Sequence, residues 1–131
     1  MKEEFFPYRK IVHNVFGEIK IPSVELILKG IKEVRLYAII DSGAVISVFP
    51  KSICDLLGLE YEKGKEFSLI SAAHEEISVR VHNARIKIGE IEFDARIGFS
   101  KIEKVPHLLG RLDVFDKVEI KFEKEGVRFF F

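Results

Sequence analysis

One aspartate stands where an apolar run gives way to a tight bend. Tyr37-Ala38-Ile39-Ile40 carries the chain out of a core and Asp41 presents a carboxylate. Ser42-Gly43-Ala44 then turns the backbone, and Val45-Ile46-Ser47-Val48-Phe49-Pro50 takes it back in. A carboxylate so placed is either a turn residue whose oxygens bond the neighbouring backbone or a group that moves protons. Asp-Ser/Thr-Gly alone arises by chance in about 5% of chains of this length. Two apolar residues before it and an alanine after it lower that to roughly one in a thousand.

The other chemistry-bearing side chains form no constellation. His74-Glu75-Glu76 begins like a zinc-binding helix motif, but the second histidine it needs falls at Ser78. His13, His82 and His107 are scattered singly, and Cys54 stands alone. Surface or satisfied histidines and a buried thiol are the expectation, with no metal. The glycines make no phosphate-cradling pattern, so no nucleotide or other cofactor is expected.

The elements that position Asp41 read as strands. Val24 to Leu28 and Val34 to Ile40 flank Lys29-Gly30-Ile31-Lys32-Glu33, a hairpin pattern. Ile77, Val79 and Val81 alternate with Ser78, Arg80 and His82. Two further apolar runs bracket Gly89-Glu90, and Lys124-Glu125-Gly126 turns the chain between Val118 to Phe122 and Val127 to Phe131. Two short helices are predicted. The first starts at Pro50 and stops at Gly58, burying Ile53, Leu56 and Leu57. The second is a turn or two at Arg111 to Phe115. Gly17 to Pro22 and Glu62 to Lys65 read as loops. The fold class is all-β.

Length predicts one domain over residues 1–131, large enough to bury a core without staples. The 21 basic and 21 acidic residues are mixed along the chain, so nothing favours nucleic acid. The single cysteine forbids an intrachain disulfide and fits a reducing compartment. The charged, proline-stopped start is no signal peptide, and no apolar run approaches the roughly 18 residues that span a membrane. A cytoplasmic protein is expected.

Asp41-Ser42-Gly43-Ala44 with its apolar flanks resembles the active-site loop of pepsin-like and retroviral-type aspartic proteases. His107-Leu108-Leu109-Gly110-Arg111-Leu112-Asp113 resembles the apolar-apolar-Gly-Arg-Asp/Asn segment near the end of the retroviral-type enzymes, where a short helix and a last strand follow. The resemblance covers about Val24 to Phe131 and implies a closed, barrel-like, retropepsin-like domain.

The resemblance also implies a reaction. Two carboxylates a few ångströms apart share one proton: the ionised one draws a proton from water while the protonated one polarises the scissile carbonyl. Only one Asp-Ser-Gly is present, so the dyad requires a homodimer with Asp41 from each copy at a two-fold axis. Ser42 would then brace the two loops, while Gly43 and Ala44 keep the cleft narrow-walled. Ala72, Ala73 and His74, within Ile70 to Ile77, occupy the place of the flap that closes over an extended peptide or protein substrate. Gly110 and Arg111 would support the loop.

In the retroviral enzymes that arginine pairs with an aspartate four residues past the catalytic one, where this chain has Val45. Arg111 must therefore find Asp113, Asp116, a carbonyl or a partner's acid. Phe5, Phe6 and Phe129-Phe130-Phe131 are expected to enter the subunit interface. Two rival readings remain. One is a protease-like module that dimerises or binds peptide without cutting it; the other is a monomeric ligand-binding barrel with an enclosed cavity.

Overall fold

A computed structural model describes residues 2–70 and 73–131. The strands are β1 (Glu3–Pro7), β2 (Arg9–His13), β3 (Gly17–Ile21), β4 (Ser23–Lys29), β5 (Glu33–Ile40) and β6 (Ser47–Pro50). After helix α1 (Lys51–Leu56) and a 3-10 turn at Tyr61–Lys63 come β7 (Lys65–Ile70), β8 (Glu76–Ile88), β9 (Ile91–Ser100), β10 (Leu108–Leu109), β11 (Glu119–Phe122) and β12 (Gly126–Phe130).

Period-two alternation builds the walls. Val24, Leu26 and Leu28 of β4, Ala84, Ile86 and Ile88 of β8, and Phe93, Ala95, Ile97 and Phe99 of β9 all point inward and are buried. Most of the residues between them are polar and outward, and polar pairs cross the strands as in Arg35–Glu25 and Lys29–Glu92. Such exposed pairs are worth only about 0–1 kcal/mol each, so the core carries the stability.

The main sheet runs β4-β5-β10-β6-β9-β8-β7, and an extra β4–β8 pairing closes six of those strands into a ring. Closure removes two sheet edges that would otherwise be open to other chains. Phe49, Phe99 and Phe129 fill the interior.

Two pairings in the ring are parallel. The two-residue strand β10 lies parallel to β5 (Leu108↔Ile39, Leu109↔Ile40) and antiparallel to β6 (Leu108↔Val48). It is thus wedged between the two strands that lead into and out of the Asp41 bend.

Several expectations are corrected. Gly17 to Ile21 is a strand, β3, paired with β2 from Arg9↔Ile21 to His13↔Gly17. Lys65 already belongs to β7, and the residues before it make the 3-10 turn. Helix α1 buries Cys54 and, just beyond its end, Leu57, while Leu56 is exposed. The core lies on the 54/57 side because α1 packs back on β6 and β9.

Residues 112–117 are consecutive turns and no helix. Phe115 N–H reaches Arg111 O and Val118 N–H reaches Val114 O, but Asp113 sits at φ +63°. A left-handed residue interrupts a right-handed helix.

The terminal strands pair within the chain, as the sheet β1-β12-β11. Phe129 is fully buried in its own core with the Phe6 ring edge-on at 5.0 Å. The Phe129 ring is therefore spent on the chain's own core and not on a subunit interface.

Candidate active site

The Asp41 bend is held from below. Asp41 N–H donates to Leu109 O (3.0 Å), so the end of β5 continues the parallel ladder onto β10. Ala44 N–H donates to Asp41 O (3.2 Å) and closes the turn. On the far side, Arg111 N–H donates to Ala44 O (3.0 Å) and Leu112 N–H to Val45 O (2.8 Å). Segment 109–112 therefore straps both ends of the bend with main-chain bonds. Such bonds do not depend on side-chain rotamers.

Within the bend, Gly43 N–H donates to Asp41 Oδ1 at 2.9 Å. That bond fixes the carboxylate plane. A β-carbon on Gly43 would stand 3.2 Å from the same oxygen, a crowded contact, so glycine lets the amide approach. Asp41 and Ala44 are half-buried, and Ser42 and Gly43 are exposed at the rim. Among the described residues the Ser42 hydroxyl makes no hydrogen bond, and it stands at the exposed rim. Val45 is also exposed.

Gly110 is fixed by space. A β-carbon there would lie 2.5 Å from the carbonyl carbon and oxygen of Ile46. Its N–H donates to Ser47 Oγ at 2.9 Å, and Ser47 is fully buried. Sequence reasoning passed over Ser47. The signal was present: a hydroxyl in a strand otherwise made of Val, Ile and Phe needs a partner once buried.

Arg111 supports the bend through its backbone and not through its guanidinium, which makes no ion pair or hydrogen bond among the described residues. Of the acids expected for it, Asp113 is taken by another arginine. Asp113 accepts two bonds from the Arg96 guanidinium (2.8 and 3.0 Å) and one from the Arg96 backbone N–H (2.9 Å). Those bonds hold the Asp113 carboxyl down at about 2.

The remaining sites of sequence interest lie apart. β7 and β8 form an antiparallel hairpin from Lys65↔Val81 to Ile70↔Glu76. Ala73 and His74 are in its exposed turn, with His74 at φ +60°, and Ala72 lies outside the described residues. Glu76 opens a strand, which is incompatible with a zinc-binding helix there. Cys54 is buried, and desolvation pushes its thiol up to about 11. Among the described residues no three His, Cys, Asp or Glu side chains gather, and no helix is long and apolar enough to cross a membrane.

A closed ring of strands with a short strand wedged beneath an Asp-Ser-Gly-Ala bend defines a retropepsin-like fold. Solved structures share it. EIAV protease complexed with the inhibitor HBY-793 matches with a TM-score of 0.57 and 18% identity, over 82% of this chain and 93% of that one. A retropepsin-like aspartic protease from Rickettsia conorii matches with a TM-score of 0.59 and 18% identity, over 99% of each chain. No protein-family model and no curated protein sequence matches.

Proposed function

We propose that this chain is an aspartic endopeptidase that works as a homodimer, with Asp41 of each copy at the two-fold axis. The observation that carries the reading is the Asp41 bend itself. Its carboxylate is fixed by Gly43 N–H, strapped from beneath by 109–112, and turned to a rim where Ser42 and Gly43 stand exposed.

The chemistry then follows from pairing. Two such carboxylates brought together cannot both ionise, so one proton is shared between them. The ionised partner takes a proton from water as that water attacks the scissile carbonyl, and the protonated partner donates to the carbonyl oxygen. Ser42 of each copy braces the pair, and Ala44 lines the cleft. An extended substrate lies across the axis beneath the β7–β8 hairpins, its backbone pairing as an added strand. Neither metal nor cofactor is required.

A second reading is a dimerisation or peptide-binding module without cleavage. The unpaired Arg111 guanidinium beside the exposed Val45 favours it, because an arginine without its acid leaves the bend with less side-chain support.

One experiment separates the two. Wild type and Asp41→Asn are incubated with a peptide library across about pH 3–7, and fragments are read by mass. Cleavage present in wild type and absent in the variant supports the peptidase. A folded wild-type dimer that cuts nothing over that range supports the module.

A further inference from the structure

The β2–β3 hairpin is a sheet of its own, joined to no other strand among the described residues. Its base is tied down. The Arg9 guanidinium lies 4.1 Å over the Tyr37 ring, and Lys20 pairs with Glu125 at 3.1 Å. Its outer half is unsupported and apolar: Val12 is 88% exposed, Val15 73% and Phe16 74%. Contiguous apolar surface of this kind marks a contact site.

The tip is shaped in advance. The His13 ring nitrogen Nδ1 accepts the backbone N–H of Val15 (3.0 Å) and of Phe16 (3.3 Å). The Phe16 ring stacks on the His13 ring at 5.0 Å, and Gly17 supplies the left-handed turn at φ +71°. Phe16 is thus presented outward by a locally bonded tip, which lowers the ordering entropy that docking would cost. An isolated two-stranded hairpin is marginal in water, so a bonded, apolar one calls for a surface to lie on.

The position of the hairpin says whose surface. Its last residues run through Pro22 into β4, and Ile40 N–H donates to Pro22 O at 2.9 Å. The next residue is Asp41. The arm is therefore rooted beside the one point that, on the reading above, must meet its counterpart in a second copy. Next to the root lies a groove of about 360 Å3 lined by Ile11, Ile21, Ile39 and Pro106. A five-residue strand reaches roughly 16 Å, which carries the tip well clear of its root.

We infer that the hairpin is an arm exchanged between two copies of this chain, Phe16 and Val15 of each seating in the other's groove beside Asp41. The contact is isologous, tip to groove and groove to tip. It rests on the paired-Asp41 reading and adds what holds the pair together. Val12, Val15 and Phe16 are largely exposed and Ile11 partly so, an apolar contribution to which the Asp41 bends add toward the roughly 800 Å2 per partner of a stable interface.

The test is sedimentation equilibrium of wild type, of the double variant Val15→Lys/Phe16→Lys, and of Ile102→Lys as an exposed apolar control elsewhere. The arm requires a dimer for wild type and the control, and a dimer dissociation constant raised about tenfold or more for the double variant. A double variant that dimerises like wild type overturns the arm and leaves the paired-Asp41 reading standing. A folded wild-type monomer overturns both. If the double variant loses its circular dichroism signature, the decision passes to a mixture of Phe16→Cys and Pro106→Cys chains. A disulfide joining the two different chains supports the arm, and none after mild oxidation overturns it.

Discussion

Ser47 Oγ accepts the backbone N–H of Gly110 at 2.9 Å, in full burial beneath the Asp41 bend. β6 and the strap thus meet through a side chain that touches neither water nor the carboxylate. Ser47→Ala removes the acceptor and leaves a buried N–H without a partner, which costs about 1–3 kcal/mol. Urea unfolding measures the loss; a change under 0.3 kcal/mol would mean that another acceptor is in reach. Gly110→Ala should cost at least as much, because its β-carbon meets the Ile46 carbonyl at 2.5 Å and backbone must shift.

The Asp113–Arg96 pair predicts a pH dependence. The folded-state carboxyl is held at about 2, below the 3.8 of an unperturbed aspartate. A depressed pKa contributes stability that is complete above the unfolded value and vanishes as pH falls through the folded one. The window is therefore roughly pH 4 to 2. Asp113 is 19% exposed and Arg96 54%, so solvent screening limits the contribution to about 1–2 kcal/mol. Asp113→Asn keeps a residue that tolerates φ +63° while losing the charge. It should destabilise the chain at pH 7 and match wild type near pH 2 in chemical denaturation.

Cys54 should report unfolding. Burial raises its thiol to about 11, so almost no thiolate exists at pH 8. An aromatic disulfide reagent at that pH should label native protein only as fast as it opens, and denatured protein within seconds. Prompt labelling of the native state would place the thiol at the surface.

Phe129 tests whether the chain's last strand belongs to its own core. Phe129→Ala removes a fully buried ring packed against Phe6 and should cost about 3–5 kcal/mol. The cost must be independent of protein concentration. A concentration-dependent loss would return the terminal rings to an interface.

Ser42→Ala should leave thermal stability within about 0.5 kcal/mol, since the residue is exposed and its hydroxyl unbonded among the described residues. On the proposed reading it lowers peptidase activity by weakening the pairing of the two bends. Equal loss of stability in the isolated chain and of activity would point to folding alone.

What the sequence made legible is what local pattern encodes. β4, β5, β8 and β9 announce themselves by alternation, because their inward residues share one ring interior. The Asp41 bend is legible because its residue types are restricted at consecutive positions. The strand β3 is less so: with Gly17 first and Glu18 and Lys20 alternating with two isoleucines, it reads equally as a loop until Arg9–His13 is laid beside it. Helix α1 lies where expected, with Leu57 buried and Ile53 packed on the core, but Leu56 faces out and Cys54 in, since a six-residue helix carries too little pattern to fix its rotation. Ring closure through Leu28↔Ile86, the Ser47–Gly110 bond and the capture of Asp113 by Arg96 join residues distant in sequence. A local pattern can show that a residue such as Ser47 needs a partner, but not which distant residue supplies it.

The wedge of Leu108 and Leu109 between β5 and β6 has a consequence for biosynthesis. A growing chain exposes Asp41 well before Leu109, whose carbonyl receives its N–H, and Arg111 and Leu112, whose amides close its bend. Contacts so distant in sequence form late and slowly. A polypeptide stalled between the two segments therefore carries the acidic residue without its cradle, and the bend takes its shape only once residues 109–112 have been made.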